Sequence, residues 1–212
     1  MTTTEAAKKN NARPVSPEAL QPYLTERQIQ ERAQAMAQEI NRVYKDVDKL
    51  VVIGVLKGSF MFLTDLVRHI GVPCQIEFVR LASYGNQRTS SGVVKPVDLT
   101  LPNLSNEHVL IVEDIVDTGL TLHFFMDYLR SLHHTKSLRL AVMLDKVAAR
   151  SKEIPAFPID FKGFEVDNEF LVGYGLDYAG YYRNFPYIAI LPDENQNLTE
   201  EKKEDAPEQS PA

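Results

Sequence analysis

The stretch VLIVEDIVDTGLTLHFF, residues 109–125, decides how the chain is read. Its first four residues are a short apolar run of the kind buried strands carry, and Leu122, Phe125, Met126, Leu129 and Leu132 continue beyond it at the spacing of a helix with one apolar face. Glu113, Asp114 and Asp117 stand between the two, at an apolar edge where unpaired carboxylates are costly to desolvate. Adjacent strand residues point to opposite faces, so Glu113 and Asp114 can meet one ligand only if the strand has ended by Val112. Asp117-Thr118-Gly119-Leu120-Thr121 must then turn tightly, with Gly119 free to take a backbone shape that other residues resist. Successive N–H groups at the start of a helix form an anion cradle, and the hydroxyls of Thr118 and Thr121 add donors. Each charge interaction at a helix end contributes only ~0.3 to 1 kcal/mol, so holding a phosphate takes several donors at once. The acids before the turn suit sugar hydroxyls or a hydrated Mg²⁺. Taken singly, they equally suit a capped helix start with no ligand at all. The turn is neither a Walker loop nor a dinucleotide-binding turn.

The flanking pattern supplies an architecture. Leu50–Leu56 (LVVIGVL) is apolar without alternation, as in strands covered on both faces of a parallel sheet. Before it, Thr25 and Gln28 make a capping-box pattern, and Ile29, Ala33, Met36, Ile40 and Val43 share one helical face. After it, Leu63, Leu66, Val67 and Ile70 mark a second helix. Further strands are expected at residues 74–81, 138–144, 170–173 and 187–191, with a helix at about Leu120–Leu132. Strands alternating with helices predict a doubly wound α/β sheet, whose ligands bind at the carboxyl ends of the strands.

Composition narrows the function classes. The 212 residues suffice for one domain, and 44% hydrophobic with 25% charged residues is ordinary for a globular protein. A net charge of −6 without a basic stripe argues against nucleic acid and anionic membrane as partners. Cys74 is the single cysteine, so no intrachain disulfide forms and a reducing, cytoplasmic setting is expected. No apolar run reaches the ~18 to 20 residues that span a bilayer. Residues 1–17 and 194–212 offer little to bury and are expected to be disordered tails around a domain at residues 18–193.

Read as one string, Glu113 to Thr121 resembles the 5-phosphoribosyl pyrophosphate (PRPP) signature of type I phosphoribosyltransferases: strand, two acids, two apolar residues, then Asp-Thr-Gly-x-Thr. Three further stretches resemble the hypoxanthine-guanine branch of that family, and together they cover most of residues 50–190. The resemblance implies a mainly parallel twisted sheet flanked by helices, with a small hood region and a mobile lid loop. It implies PRPP contacts for Glu113, Asp114, Ile115, Asp117, Thr118, Gly119, Leu120 and Thr121, the leading acids holding ribose hydroxyls near the metal. Leu56-Lys57-Gly58 is implied to be the pyrophosphate loop, with a cis peptide before Lys57, although these residues alone also fit a plain helix-entry turn. Phe170 is implied to stack on the purine, the Leu171 backbone to read its edge, and Arg183 to meet pyrophosphate. Glu113, Asp114 and Asp177 are the implied Mg²⁺ ligands. Lys146 can only donate hydrogen bonds, which suits the 6-keto oxygen of hypoxanthine or guanine and opposes the amino group of adenine. Ser83 and Tyr84 open the implied lid, whose closure would exclude water. The implied reaction is Mg²⁺-dependent transfer of the phosphoribosyl group to N9 of hypoxanthine or guanine, releasing pyrophosphate and giving IMP or GMP. Asp117 is the implied acid-base residue at purine N7. A homodimer or homotetramer is the implied assembly. A different acceptor base, or a nucleotide-sensing protein on the same fold, stays open at this stage.

Overall fold

The computed structural model describes residues 20–81 and 100–191. The two expected tails, and the lid residues Ser83 and Tyr84, lie outside the described residues.

Elements run in the order β1 (Pro22–Leu24), α1 (Glu26–Val43), β2 (Leu50–Leu56), α2 (Phe60–Val67), β3 (Cys74–Arg80), β4 (His108–Val116), α3 (Leu120–Leu132), β5 (Ser137–Asp145), β6 (Phe161–Glu165), β7 (Leu171–Val172) and β8 (Ile188–Ile190). Five strands form one sheet in the order β3-β2-β4-β5-β6, every pair parallel. The apolar run of β2 explains its central position. Leu50, Val51, Val52 and Ile53 are all fully buried, but they feed two different cores. Val52 packs with Ile29, Met36, Ile40 and Phe62 of α1 and α2, whereas Val51 and Ile53 pack with Leu122, Phe125 and Leu129 of α3. Helices thus cover both faces, as the absence of alternation predicts.

Helix α1 opens on the expected capping box: Gln28 N–H donates to Thr25 Oγ1 at 3.3 Å, and Thr25 N–H donates to Gln28 Oε1 at 2.9 Å. Its apolar face is buried from Ile29 to Ile40, but Val43 is exposed, as is Leu132 at the end of α3. Both are the last residue of their helix. Helix α2 stops at Val67, so Ile70 packs from the connection that follows.

Three expectations are corrected. The strand carrying the two acids does not end at Val112 but runs to Val116. The strands expected near residues 170–173 and 187–191 do not extend the parallel sheet: β7 and β8 join β1 in a separate antiparallel sheet, order β1-β8-β7, with its own core of Leu20, Val172, Tyr182, Ala189 and Leu191. This is the small second region implied by the resemblance. Finally, β1 and β6 were not anticipated. β6 is an edge strand interrupted by Gly163, where a Cβ would collide with the Met143 carbonyl. Among the described residues no helix is long and apolar enough to cross a membrane.

Candidate active site

The carboxyl ends of β2, β4 and β5 open into a cleft of about 520 Å³, closed on one side by the loop beyond β7. β2 contributes Leu56, Lys57 and Gly58, and the Leu56–Lys57 peptide is cis. β4 and the turn after it contribute Glu113 through Gly119 together with Thr121. Lys146 comes from the residue after β5, and Phe170, Leu171, Asp177 and Arg183 from around β7. Of the expected site residues within the described regions, Leu120 alone is missing from the lining. Its place as the first residue of α3 leaves its side chain partly exposed, and its N–H donates weakly to Thr118 Oγ1 at 3.4 Å.

The turn has the geometry its sequence demands. Gly119 sits at φ +77°, in the left-handed region, as the residue before α3. The carbonyls of the turn are used by the protein: His123 N–H donates to Gly119 O at 2.9 Å, and Ser151 N–H donates to Thr118 O at 3.0 Å. Among the described residues, no protein acceptor takes the N–H groups of Thr118, Gly119 or Thr121. The carbonyls of Thr118 and Gly119 accept from the protein while these amides do not donate to it, which is the polarity of an anion cradle.

Although β4 continues through them, Glu113 and Asp114 both reach the cleft. The side chain of Asp114 lies against Gly58, where any Cβ would run into its carboxylate. Burial is the main force on both acids. It drives the Glu113 carboxyl well above the usual range, helped by the neighbouring charge of Asp114. It pushes Asp114 up to about 6, against the pull of backbone N–H groups and the charge of Arg183.

Lys146 is buried, 8% exposed, and its Nζ lies 3.9 Å from Asp117 Oδ2. Its backbone N–H donates to Val116 O at 3.0 Å, which ties the end of β5 to the end of β4. Arg183 is paired with Asp177 at 2.5 Å and donates to Gly175 O at 2.6 Å, while Asp177 also accepts from Gly180 N–H at 2.8 Å. Phe170, 52% exposed, presents its ring at the mouth of the cleft and is met edge-on by Tyr178 at a centroid distance of 5.6 Å. The thiol of Cys74 donates to Val72 O at 3.3 Å, and burial raises it above its ordinary value, the behaviour of an inert packing residue.

A phosphoribosyl transferase domain model matches residues 22–179. The chain belongs to the phosphoribosyl transferase family. Among its relatives are the hypoxanthine-guanine phosphoribosyltransferase of Bacillus subtilis, 41% identical over 79% of this chain and 91% of that one, and the hypoxanthine phosphoribosyltransferase of Haemophilus influenzae, 41% identical over 78% and 91%. A crystal structure of a hypoxanthine-guanine phosphoribosyltransferase from Bacillus anthracis, with HEPES in its active site, superposes with a TM-score of 0.75 at 40% identity, covering 81% of this chain and 98% of the other. A ternary substrate complex of the Trypanosoma cruzi hypoxanthine phosphoribosyltransferase superposes at 0.74, with 40% identity over 82% and 95%.

For a phosphoribosyltransferase, the donor set is chemically apt for Mg²⁺. Every candidate ligand is a carboxylate oxygen, and Glu113 Oε2 is buried without a hydrogen-bond partner. Glu113, Asp114 and Asp177 share the cleft, but among the described residues no three acidic, His or Cys side chains converge into a ready-made metal cage. A cation that takes one or two carboxylates and completes its shell with water and substrate oxygens fits this arrangement.

Sequence reasoning missed the wall behind the turn. Arg150 and Phe157 flank Gly119, whose Cβ, if present, would lie 3.1 Å from Arg150 Nη1 and 3.0 Å from Phe157 Cε1. Both residues sit in an irregular Pro-containing segment with no periodicity. A lone Arg and a Phe in such a segment were the available signal.

Proposed function

We propose that the protein transfers the 5-phosphoribosyl group from PRPP to N9 of hypoxanthine or guanine, releasing pyrophosphate and forming IMP or GMP in purine salvage. The observation that carries this reading is the single cleft in which free amides of the turn, the buried Lys146 and the Phe170 ring face one another.

Each part has a place in the reaction. The amides of Thr118, Gly119 and Thr121 hold the 5′-phosphate, and the carboxylates of Glu113 and Asp114 accept from the ribose 2′- and 3′-hydroxyls. Phe170 stacks on the purine and Lys146 donates to its 6-keto oxygen. As pyrophosphate departs, positive charge grows at ribose C1′ and negative charge on the leaving group, which Arg183 and the backbone around Lys57 and Gly58 stabilise. Asp117, 3.9 Å from Lys146 through its Oδ2, takes the proton shed at purine N7. Mg²⁺ would be held by carboxylates of the set Glu113, Asp114 and Asp177 and would neutralise charge on the departing pyrophosphate. Arg183 then has to exchange its partner Asp177 for the anion. The reading includes a reducing, cytoplasmic setting, supported by the lone thiol Cys74, and a homo-oligomeric assembly.

A spectrophotometric assay with PRPP, Mg²⁺ and, separately, hypoxanthine, guanine, xanthine, adenine and uracil tests it. Turnover with the first two and not with adenine or uracil is expected. PRPP-dependent turnover with uracil alone, or none with any base, would overturn it.

A further inference from the structure

The turn between β4 and α3 is a thin wall. Thr118 lines the cleft on one side and, on the other, a second cavity of about 370 Å³ that it shares with Arg150, Ser151, Phe157 and Lys162. What occupies that far side is a fixed charge network. Asp145, 3% exposed at the end of β5, accepts from Arg150 Nη2 at 2.5 Å and Nε at 3.2 Å, and from Lys162 Nζ at 2.8 Å. Both nitrogens of Arg150 that face Asp145 are thereby used. Its remaining nitrogen, Nη1, is the one turned toward Gly119.

The guanidinium is also packed on one face: its Cζ lies 5.1 Å from the centre of the Phe157 ring, and His123 of α3 stacks on that ring at 6.0 Å and 19°. The neighbouring Ser151 N–H holds the carbonyl of Thr118, and the backbone of Lys146, next to Asp145, holds the carbonyl of Val116. One buried carboxylate therefore anchors, through Arg150, the outer surface of the phosphate turn and, through its own chain neighbour, the lysine that faces the base.

We propose that Arg150 is a positioning residue for the phosphate of PRPP. Held by Asp145 and Phe157 behind Gly119, it keeps the free amides of the turn aimed into the cleft. It also adds a fixed positive charge on the side of the turn away from the ligand. It touches no substrate, since it lines the far cavity and not the cleft. The inference rests on the phosphate-binding reading of the turn and adds to it the residue that fixes the turn's geometry.

Steady-state kinetics, ribose 5-phosphate binding by calorimetry and thermal melting of the wild type, Arg150→Ala, Arg150→Lys and Phe157→Leu test it. Misplacing a binding element by about an ångström costs on the order of a hundredfold, so Arg150→Ala is expected to raise the KM for PRPP and the Kd for ribose 5-phosphate roughly ten- to a hundredfold. The KM for hypoxanthine at saturating PRPP should change by less than about threefold, because Lys146 keeps its own backbone tether. Arg150→Lys retains the charge but not the planar fork and should recover part of the loss. A merely structural Arg150 would lower the melting temperature and the yield of active enzyme with both constants unchanged, and that result overturns the proposal. If Arg150→Ala does not fold, Phe157→Leu, which leaves every partner of Asp145 in place, must raise the PRPP KM, and an unshifted value sinks the proposal equally. Wild-type protein that binds ribose 5-phosphate but never turns over PRPP defeats the proposed function and leaves the binding arm of this test intact.

Discussion

Asp117 and Lys146 come from the ends of two adjacent strands and face each other at 3.9 Å, one at the mouth of the cleft and the other buried beneath it. The pairing is the work of the parallel register. β4 and β5 run side by side to Val116 and Asp145, so the residue after each strand emerges beside its counterpart. A base lying between them meets a donor and an acceptor at once.

Asp117→Asn keeps the shape but not the basicity. Nucleotide binding is expected to persist, while kcat falls by roughly 10²- to 10⁴-fold, the usual contribution of acid-base help. Pre-steady-state and steady-state rates at saturating PRPP measure it, and near wild-type turnover would remove Asp117 from the reaction.

Lys146→Gln exchanges a group that only donates for one that both donates and accepts. The ratio of kcat/KM for hypoxanthine over adenine should fall by about tenfold or more, because rejection of the adenine amino group no longer rests on like donors facing each other. Competition kinetics with the two bases report that ratio, and an unchanged value would mean another residue reads position 6.

Gly58→Ala puts a methyl group where the Asp114 carboxylate lies. The carboxylate has to leave, taking with it one of the two acids assigned to ribose and cation. Expected is a fold that is intact by circular dichroism with kcat/KM for PRPP reduced by at least roughly tenfold, the scale of a single misplaced group.

The Glu113–Asp114 pair gives a pH test on ligand-free protein in chelator. A carboxyl whose pKa is raised by folding contributes stability below the ordinary carboxylate pKa and loses it as pH climbs through the folded value, here about 6 for Asp114. Asp114→Asn removes that loss. Melting temperature should therefore be higher for the variant than for wild type at about pH 8, with the gap narrowing as pH falls below about 6 and closed only below about pH 4. A gap independent of pH would show that the acid is not held in a desolvated place.

Tyr174 donates to Asp65 Oδ2 at 2.8 Å and so fastens the loop after β7 to α2. Tyr174→Phe should cost about 1 kcal/mol, since Asp65 can turn to water, and lower the melting temperature by about 2–4 °C. Calorimetry of the two proteins decides it.

How far the residues announced this arrangement depends on whether the information was local. LVVIGVL named a doubly covered strand because burial on both faces removes alternation, and Asp-Thr-Gly at a helix entry named a tight turn because few residues tolerate the required φ. The end of β4 was misjudged because two acids look like the close of a strand, whereas backbone pairing with β5 tolerates them. The small sheet was misassigned because strands as short as Leu171–Val172 carry no periodicity that could tell parallel from antiparallel partners. Arg150 and Phe157 stayed invisible for a different reason: their importance lies in touching Gly119, some thirty and more positions earlier in the chain, and no local pattern encodes that approach.

Gly175, at φ +98°, rests directly on the carbonyl of Gly58, so the loop of the small sheet and the loop of the large one touch main chain to main chain. Such a joint has no rotamers with which to absorb movement. Neither loop can move toward the other without a main-chain clash, so the two edges of the cleft are spaced by backbone and not by side chains.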